Sequence, residues 1–378
     1  MIDHPKTILQ ILPKLDAGGA ERVAIEIAEA VHKAGHRSLI AAEDGPLAYL
    51  AKRAGAEVIT LPLATKNTLK IINNSKKLRK IISRNKVDLV HAHSRAPAWA
   101  GYLAAKKQGV PFITTYHGSY SESTRLKRRY NRVMVSGDRV VAVSHFISDL
   151  IKSRYKFDFE KISVIHGGVD PAKFDPAAVR GDRLVRLAKD WRIEDGQPAI
   201  LLPARLTDWK GQTLFIEALA KMRHQEAVGI LIGSDQGRHR YTKSLMDLAV
   251  QSGVGGRLRL AGHVEDMPAA VKLADIVVNC SLKPEAFGRT IVEAQAMGRI
   301  VVAADHGGAR ETIEPDVTGF LVPPRDAAAL AASFDMILDG DIDGRLAFGA
   351  RARETVIERF SLAAMQARYL ELYAEVLS

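Results

Sequence analysis

Short runs of apolar, mainly β-branched residues alternate along the chain with longer segments whose apolar residues recur at helical spacing. The first such unit is the run KTILQIL, a Gly-Gly turn, and a segment from about Gly19 to Ala34. The apolar residues of that segment share one face of a helix, which predicts an amphipathic helix that ends at Gly35. Strand, turn and helix repeated in this order are typical of βαβ units and parallel sheets.

The same alternation predicts two sets of strands, separated by a polar, proline-containing stretch that runs to about Pro198. The first set is KTILQIL, HRSLIAA, EVITLPL, VDLVHAH, PFITTYH, DRVVAVS and KISVIHG. The second set is AILLPARL, AVGILIG, RLRLAGH, DIVVNCS, IVVAADH and GFLVP, and the chain is helical from Ala327 onward. The sequence therefore predicts an α/β protein with two doubly wound domains, residues 1–180 and residues 181–360, whose ligands bind at the carboxyl ends of the strands.

Length and composition agree with two globular domains. A chain of 378 residues is long for one hydrophobic core, and 47% hydrophobic with 26% charged residues is ordinary for a folded protein. No apolar run approaches the roughly 18–20 residues of a membrane span, and the N-terminal residues lack the order of a signal peptide. Cys280 is the only cysteine, so no internal disulfide can form. We therefore expect a reducing compartment, the cytoplasm.

Positive charge is concentrated in the first half of the chain. Residues 1–180 contain 30 lysines and arginines against 16 acidic residues, and the remainder contains 24 against 27, so the two parts carry +14 and −3. Eight of the cations and no acid lie between Lys66 and Lys86. A helix is predicted there, with an apolar side formed by Leu69, Ile72, Leu78, Ile81 and Ile82. A second basic cluster consists of Arg125, Lys127, Arg128, Arg129 and Arg132.

Two interpretations of this charge remain open. The basic residues are either solvated helix faces, or they attach the protein to an anionic membrane leaflet or a phosphorylated glycolipid. No nucleic-acid recognition motif accompanies them, so nucleic acid is not an expected partner.

Two strand-end turns offer groups that suit an anionic ligand. Gly18 and Gly19 follow the first strand, where backbone N–H groups can approach a ligand closely, although an ordinary tight turn uses the same residues. Arg205 and Lys210 lie in PARLTDWKGQ, between a predicted buried strand and a helix that begins near Gly211. An arginine can clamp phosphate oxygens in a bidentate fork while a lysine supplies a point charge, so this loop suits a diphosphate. A pair of solvated surface charges is the alternative.

The segment EAFGRTIVE places two carboxylates, Glu285 and Glu293, around a predicted helix N-terminus. The residues predicted at that N-terminus are Phe287, Gly288, Arg289 and Thr290. Free N–H groups at a helix start attract anions, so the segment offers an anion seat between two hydrogen-bond acceptors. The carboxyls of a glycosidase lie about 5–5.5 Å apart for retention or about 6.5–9.5 Å apart for inversion. A short loop and about five helical residues put these two on the order of 10 Å apart, which favours separate roles.

Several motifs of the chain occur together, and in this order, in one enzyme family. They are GGAERV, VSHFISDLI, VIHGGVD, ARLTDWKG, PEAFGRTIVEAQAMG and DHGGARETI. Through them nearly the whole chain resembles the retaining nucleotide-sugar glycosyltransferases of family 4. The resemblance implies the GT-B fold of two facing Rossmann-like domains. The C-terminal domain would bind most of the donor, and the last helix, about residues 361–378, would return to the N-terminal, acceptor-side domain.

The resemblance also implies roles for single residues. Arg205 and Lys210 would hold the donor diphosphate, Glu293 the ribose hydroxyls, and Glu285 the hydroxyls of the transferred sugar near the reacting carbon. Of these, Glu285, Arg205 and Lys210 are the candidates for catalysis, together with His117.

Further contacts would come from backbone groups and from His117. Phe287 and Gly288 would contribute amides to the sugar and the phosphate, and Gly19 would approach the diphosphate. His117 would lie close to the sugar, where a contact is favoured over a general base. Arg289 departs from the family pattern, in which an apolar residue is commoner, and a cation there suggests an additional clamp on the diphosphate.

The sequence thus predicts a retaining glycosyltransferase that uses a UDP- or GDP-sugar as co-substrate. The expected acceptor is a glycolipid or surface polysaccharide, such as lipopolysaccharide core or capsule, at the inner face of the cytoplasmic membrane. The cations and the helix N-terminus would stabilise charge on the leaving diphosphate, so no metal or other cofactor is expected. The acidic segment DGDIDG at residues 339–344 is interpreted as a polar turn. The alternatives are a nucleotide-sugar epimerase of the same architecture, or a non-catalytic basic protein that binds lipid or nucleic acid.

Overall fold

The computed structural model describes residues 4–16 and 18–378, over which it contains thirteen strands and fifteen α-helices. The strands are β1 (Thr7–Lys14), β2 (Arg37–Glu43), β3 (Ala56–Thr60), β4 (Leu89–Ala92), β5 (Phe112–Tyr116), β6 (Arg139–Ala142), β7 (Ile162–Val164), β8 (Ala199–Pro203), β9 (Val228–Ile232), β10 (Leu258–Gly262), β11 (Ile276–Asn279), β12 (Ile300–Ala304) and β13 (Phe320–Val322). Each predicted strand run overlaps one of them.

The helices separate most of these strands. They are α1 (Gly19–Lys33), α2 (Ala48–Arg53), α3 (Thr68–Asn85), α4 (Arg95–Gln108), α5 (Arg125–Asn131), α6 (His145–Arg154), α7 (Gly181–Trp191), α8 (Gln212–Lys221), α9 (His239–Gln251), α10 (Met267–Leu273), α11 (Arg289–Ala296), α12 (Ala309–Thr312), α13 (Ala327–Asp339), α14 (Ile342–Phe360) and α15 (Leu362–Leu377). Among the residues that the structure describes, no helix is both long enough and apolar enough to cross a membrane.

The chain divides into two compact units, each built on one parallel sheet. The first unit contains the residues up to Gly167 together with Leu362–Ser378, and the second is Gly168–Ser361. The sheet of the first unit has the strand order β3-β2-β1-β4-β5-β6-β7, and that of the second has the order β10-β9-β8-β11-β12-β13. The predicted architecture of two doubly wound, Rossmann-like domains is confirmed. The strand order reverses between β1 and β4 and between β8 and β11, and ligands bind beside such switch points in open α/β sheets.

Burial on both faces explains the continuous apolar strand runs. All five residues of β8, β9 and β12 are buried, as expected for parallel strands covered by helices on both sides. In the second unit, Phe215 of α8 and Phe334 of α13 pack edge to face in the core cluster that contains these strands. In the first unit, Val23, Ile27 and Val31 form the buried stripe that the sequence predicts for α1.

The last helix, α15, belongs to the first unit, as predicted. Its buried residues Met365, Tyr369, Leu372 and Tyr373 join the core cluster that contains the stripe of α1 and apolar residues of β1, β4 and β5. The side chain of Gln366 donates to the carbonyl of Glu26 on α1 at 2.8 Å. The first unit is therefore completed by residues from the far end of the chain.

The division between the units falls after Gly167, earlier than the predicted boundary after residue 180. The N–H of Val169 donates to the carbonyl of Phe360 at 2.9 Å, and Arg353 donates to the carbonyl of Phe174 at 2.7 Å. Residues 168–180 are thus held by α14. They lack a periodic apolar pattern, so the sequence did not show to which unit they belong.

Helix α7 lies in the polar stretch where the sequence predicted a pause in regular structure. Its inward residues, Leu184, Leu187, Ala188 and Trp191, recur at helical spacing, but this short stripe lies among many charged residues and was not recognised. Arg183 of α7 fixes the helix by donating two hydrogen bonds, at 2.8 and 2.5 Å, to the carboxylate of Asp266, which caps α10. An apolar stripe and an ion pair therefore hold this helix together.

Helix α3 buries only part of the predicted apolar side, since Leu78 and Ile82 are buried and Ile81 is partly buried. Its buried residues are Ile71, Asn74, Ser75, Leu78 and Ile82. Asn74 is accommodated on that side because its amide donates to the carbonyl of Pro62 at 2.7 Å. Leu69 and Ile72, which were predicted to pack inward, are 77% and 43% exposed. The basic side of α3 therefore also presents two apolar side chains to solvent.

Replacing Leu372 with alanine should destabilise the first unit by about 2–5 kcal/mol, the usual cost of truncating a buried leucine. The Leu372 side chain is 4% exposed within the core cluster of the first unit. Hydrogen-exchange mass spectrometry should show faster exchange in β1, β4 and α1, and unchanged exchange in the strands of the second unit. Leu346→Ala, at a 57% exposed position of α14, is the control and should alter neither unit. Equal acceleration in both units would contradict the assignment of α15.

Candidate functional site

The carboxyl ends of β8 and β11, neighbours at the switch point of the second sheet, bring two of the predicted site residues together. Lys210 lies in the loop after β8, and Glu285 lies in the loop after β11. Their side chains form an ion pair with Nζ 2.5 Å from Oε1, and only 17% and 14% of the two side chains is exposed. Ser281 donates to the same carboxylate oxygen at 2.6 Å. Shielded charges held at a strand-end edge are typical of functional sites.

The two loops that carry this pair are bonded to each other through their backbones. Leu282 N–H donates to the carbonyl of Trp209 at 2.7 Å, and the Cys280 thiol donates to the carbonyl of Gly211 at 3.2 Å. A side chain at position 211 would place its Cβ 2.0 Å from the Cys280 carbonyl oxygen, and Gly211 has a φ of +81°. Burial raises the pKa of Cys280 to about 12, so the residue is a small buried thiol rather than a nucleophile.

Helix α11 begins at Arg289, just after the loop that carries Glu285. Gly288 is its N-cap residue, with a φ of +92° that suits glycine, and Phe287 before it is buried. The sequence placed Phe287 at the helix N-terminus, but the helix begins two residues later, at Arg289. Asn279, at the end of β11, donates to the Thr290 hydroxyl at 3.2 Å and ties the first turn to the sheet. The N-terminal N–H groups of α11 consequently open at the same sheet edge as the ion pair.

Glu293 lies one turn further along α11, beside Arg289. The Nε atom of Arg289 is 3.8 Å from Oε1 of Glu293, and these side chains are 20% and 16% exposed. Ile291 and Ala294 are fully buried and form the inward side of the helix. The second carboxylate of EAFGRTIVE is therefore also partly shielded and also beside a cation.

Two glycines after β12 support the Glu285 loop from behind. The N–H of Gly308 donates to the carbonyl of Glu285 at 2.9 Å. A Cβ at position 308 would lie 2.5 Å from the Cα of Phe287, and one at Gly307 would lie 2.5 Å from the Glu285 carbonyl oxygen. The motif DHGGARETI therefore acts in part by allowing this close approach of two backbones.

Arg205 is exposed, in the loop after β8. Its backbone carbonyl accepts a hydrogen bond of 2.9 Å from the amide of Gln212, a fully buried residue whose own oxygen accepts from the Tyr241 hydroxyl at 3.0 Å. The indole ring of Trp209 lies below Lys210, with Nζ 4.4 Å from the ring centroid. Among the residues around this site, Ser281, Gln212 and Trp209 were not predicted, because nothing in their local sequence marks them.

The remaining predicted site residues lie in the first unit. Gly18 is the N-cap of α1, with an extended φ of −139°, and Gly19 is the first residue of the helix. His117 follows β5, with its Nε2 atom 2.9 Å from Nδ1 of His93. His93 in turn contacts Gln10 of β1, with its Nε2 atom 2.8 Å from the amide oxygen.

A second buried histidine, His91, lies beside His93, and their ring centroids are 4.1 Å apart. Its Nδ1 lies 2.7 Å from the Tyr373 hydroxyl, and its Nε2 lies 2.7 Å from the Thr115 hydroxyl. Burial lowers the pKa of His91 to about 3 and that of His93 well below the ordinary value. The sequence HAH is the signal that was missed, since residues two apart on a strand point to the same face.

The arrangement in the second unit suits a ligand that combines phosphate with hydroxyl groups. Lys210, Arg289, the exposed Arg205 and the α11 N-terminus attract anionic oxygens, whereas Glu285 and Glu293 accept hydrogen bonds from hydroxyls. The acidic segment at residues 339–344 forms the turn between α13 and α14, where Asp341 caps α14 by accepting from Gly344 N–H at 2.7 Å.

Comparison with known proteins shows which families share this fold and these motifs. Residues 17–173 match a family model described as Glycosyltransferase Family 4, and residues 186–355 match one described as Glycosyl transferases group 1. A D-inositol 3-phosphate glycosyltransferase of Xylanimonas cellulosilytica is 32% identical over 305 residues, which are 76% of this chain and 72% of that protein. The two matched segments together span most of both units.

Solved structures agree with the sequence matches. A glycosyltransferase from Rickettsia africae is 37% identical, superimposes with a TM-score of 0.90, and the match covers 99% of each chain. Anabaena HepE, solved in complex with UDP and glucose, is 25% identical with a TM-score of 0.87, and the match covers 98% of this chain and 100% of HepE.

Acidification should destabilise the first unit through His91. Its folded-state pKa of about 3 lies below the ordinary 6.5, so at intermediate pH the unfolded chain binds a proton that the folded chain does not. This contribution to stability is fully present above pH 6.5 and is lost progressively as the pH falls towards 3, by at most about 1.4 kcal/mol per pH unit. His93 acts in the same direction.

The measurement is the free energy of opening of the first unit, obtained from hydrogen exchange of β4 and β5 under native conditions at several pH values between about 4 and 6. His91→Gln should show a shallower decline on acidification than the unsubstituted protein. His4→Gln, at an exposed position, should leave the decline unchanged. A His91→Gln profile parallel to that of the unsubstituted protein would refute this assignment of the proton.

Proposed function

The chain belongs to glycosyltransferase family 4, and we propose that it is a retaining, metal-independent enzyme that moves a sugar from a nucleoside diphosphate to a glycolipid acceptor at an anionic membrane surface. The membership itself makes it a glycosyltransferase of the GT-B type and removes the support for an epimerase or a non-catalytic binding protein. The donor, the stereochemistry, the acceptor and the place of action are the proposal.

The observation that carries the donor assignment is the Lys210–Glu285 ion pair beside the N-terminus of α11. In the proposal, Arg205, Lys210 and Arg289 bind the diphosphate, with help from the first N–H groups of α11. Glu285 binds hydroxyls of the transferred sugar, and Glu293 binds the ribose. The UDP and glucose bound by HepE, a structural neighbour, support a nucleotide-sugar donor here.

The ion pair explains how the site prefers a complete donor. Lys210 and Glu285 neutralise each other in the free protein, so a ligand that takes only one of them leaves the other partly buried without its counter-charge, which costs free energy. A nucleoside diphosphate sugar brings a phosphate for Lys210 and hydroxyls for Glu285 at once. Ligands with only one of these groups would bind less well than their contacts suggest.

Catalysis in this proposal is electrostatic. The bond between the anomeric carbon and the diphosphate oxygen breaks, and negative charge develops on the leaving phosphate where Arg205, Lys210 and the helix N-terminus lie. The acceptor oxygen forms the new bond on the same face of the sugar, and its proton passes to the leaving phosphate oxygen. An enzyme base is then not required, and His117 is assigned a contact with the sugar.

The surface of α3 supports a membrane-bound acceptor. Leu69 and Ile72 are exposed on the same side of this helix as Lys76 and Lys80. Cations that surround exposed apolar residues are typical of helices that lie on anionic membranes. The name of the Xylanimonas relative gives inositol 3-phosphate for that protein. An acceptor of that kind would use the cations but not the apolar pair. We therefore favour a phosphorylated glycolipid at the inner face of the cytoplasmic membrane, with lipopolysaccharide core or capsule precursors as examples.

Among UDP, GDP, ADP and their sugars, at least one nucleotide should raise the melting temperature of the second unit. A ligand at 100 times its Kd stabilises by about 2.7 kcal/mol.

Glu293→Gln keeps the size of the side chain but removes the charge that would bind the ribose. It should weaken nucleotide binding by about 10–100-fold, the equivalent of a charge-assisted hydrogen bond of about 1.5–3 kcal/mol. A thermal-shift assay measures the melting temperature, and isothermal titration calorimetry measures the nucleotide affinity of each variant.

Asp247→Asn is the matched control, since it makes the same carboxylate-to-amide change on an exposed residue of α9 and should leave the nucleotide affinity unchanged. Arg289→Leu should raise the donor KM if the cation clamps the diphosphate. A protein that no nucleotide stabilises, or equal effects of Glu293→Gln and Asp247→Asn, would contradict the donor assignment.

Membrane binding should depend on α3 rather than on total charge. The triple variant Lys76→Gln, Lys77→Gln and Lys80→Gln should reduce binding to vesicles of anionic lipid by about 100-fold, because each basic residue near the surface contributes about 1 kcal/mol. Co-flotation with vesicles at several salt concentrations measures this binding, and zwitterionic vesicles should bind the unsubstituted protein weakly.

Two further variants test whether membrane binding depends specifically on α3. A control triple variant removes the same charge from exposed positions of the second unit, through Lys189→Gln, Lys221→Gln and Lys243→Gln. It should bind like the unsubstituted protein. Leu69→Ser with Ile72→Ser should weaken binding without changing charge. Equal losses in both lysine triples would indicate general electrostatic attraction and would count against a specific membrane face on α3.

A further inference from the structure

A cavity of about 160 Å³ lies in the second unit, at the amino ends of its strands. Asp275 directly precedes β11 and Arg299 directly precedes β12, and the pairing of Ile276 with Ile300 brings them next to each other. Because β8, β11 and β12 are parallel, this is the sheet edge opposite to the one that carries the ion pair. The cavity is therefore separate from the site described above.

The other wall of the cavity consists of the first turns of α14, with Ile342, Arg345 and Leu346. Main-chain contact with the end of α11 holds this helix in place. A Cβ at Gly349 would lie 2.1 Å from the carbonyl oxygen of Gly298, and the Arg353 guanidinium donates to the carbonyl of Ala296. The distance between the two walls is thus set by closely packed backbones rather than by mobile side chains.

The cavity walls contain two guanidinium groups and one carboxylate. One oxygen of Asp275 accepts from the N–H of Ala199 at 2.9 Å, and the other lies 3.8 Å from Nη1 of Arg345. Asp275 therefore binds the start of β8 and attracts Arg345, and it acts on Arg299 only through its charge. The walls together carry one positive charge more than they neutralise.

Arg299 is the group that this arrangement leaves unsatisfied. Its Nε atom is buried, and it has no hydrogen-bond partner among the residues that the structure describes. An arginine whose stem merely covers apolar surface keeps its guanidinium in water. Here burial lowers the pKa of Arg299, so its charge is held in place at a cost in free energy. Since a guanidinium stays charged in proteins and buried charges are normally paired, the position calls for an anion.

We infer that this cavity is a binding site for a small organic acid, whose carboxylate accepts hydrogen bonds from Arg299 and Arg345 and whose short apolar part lies on Ile342 and Leu346. One further negative charge balances the walls, and a planar carboxylate matches the fork of a guanidinium. Ile342 and Leu346 are 66% and 57% exposed, so an apolar group can cover them. Inorganic phosphate would supply charge but nothing for this apolar pair.

The size of the cavity limits the ligand. Its volume of about 160 Å³ is below the roughly 300–1,000 Å³ of pockets for drug-sized molecules, which favours an acid of a few carbon atoms. The site goes beyond the proposed function and does not depend on it, because it shares no residue with the donor site. A chain that transfers no sugar could still bind such an acid.

The first experiment follows Arg299 directly. The full chain is labelled with ¹⁵N-arginine, and the Nε–Hε resonance of Arg299 is assigned by its absence in Arg299→Met. Sodium butyrate, acetate and phosphate are titrated at constant ionic strength. We expect a saturable shift of this resonance with a Kd for butyrate on the order of 1 mM, and about 3–10-fold weaker binding of acetate, which leaves the apolar pair uncovered. No saturable shift with butyrate, or tighter binding of phosphate than of butyrate, would overturn the inference.

The second experiment locates the site with variants and a thermal-shift assay. Arg299→Met retains an unbranched apolar stem and removes the charge, so it should abolish most of the butyrate-dependent rise in melting temperature. Without butyrate its melting temperature should not fall, because an unpaired charge has been removed. Arg240→Met, at an exposed position of α9, is the matched control and should keep the full response to butyrate.

Leu346→Ser tests the apolar part of the site and leaves both arginines in place. It should reduce the preference for butyrate over acetate and leave acetate binding unchanged. An unaltered preference would contradict the role of the apolar pair. Equal responses of Arg299→Met and Arg240→Met to butyrate would show that the acid binds elsewhere. A melting temperature lowered by Arg299→Met alone, in the absence of butyrate, would show that the protein itself satisfies Arg299, and it too would overturn the inference.

Discussion

The ion pair between Lys210 and Glu285 is the interaction on which the site of the second unit depends. Both charges are mostly withdrawn from water, and each would be costly to keep there without the other. The pair exists because β8 and β11 are neighbours at the switch point although their loops lie 75 residues apart in the chain. The strand order thus creates the pair, and in the proposed function a phosphate and sugar hydroxyls take the place of its two partners.

Close contacts between backbones keep this pair in place. Gly211 meets the Cys280 carbonyl, and Gly308 meets the backbone at Phe287, at distances that exclude a Cβ. The two loops and the start of α11 therefore rest on main-chain atoms, which have few alternative positions, rather than on flexible side chains. Such support is what a preorganised electrostatic site requires, since groups that must move to meet a developing charge stabilise it less.

The sequence predicted those features that depend on local patterns. All strand runs, the helix after Gly19 and the strand-end placement of Lys210 and Glu285 could be recognised, because buried parallel strands are continuously apolar and functional loops follow them. The buried side of α3 was predicted only in part: Leu78 and Ile82 lie inward as expected, but Asn74 and Ser75 also lie inward and Leu69 lies outward, against the usual preference of these residues. Helix α7 was missed because its short apolar stripe lies among many charged residues, one of which forms an ion pair with the distant Asp266. Both errors concern interactions with residues that are distant in the chain.

The contacts that join Gln10, His93 and His117 could not be predicted for the same reason. Gln10 and His93 are separated by 83 residues, and only the pairing of β1 with β4 brings them together. Their neutrality also distinguishes the two units. In the second unit, the charges of Lys210 and Glu285 neutralise each other. In the first unit, Gln10 and His93 are neutral groups that contact each other through their side chains. The two units therefore keep polar side chains away from water in different ways, by neutral hydrogen-bonded groups in the first and by a shielded ion pair in the second.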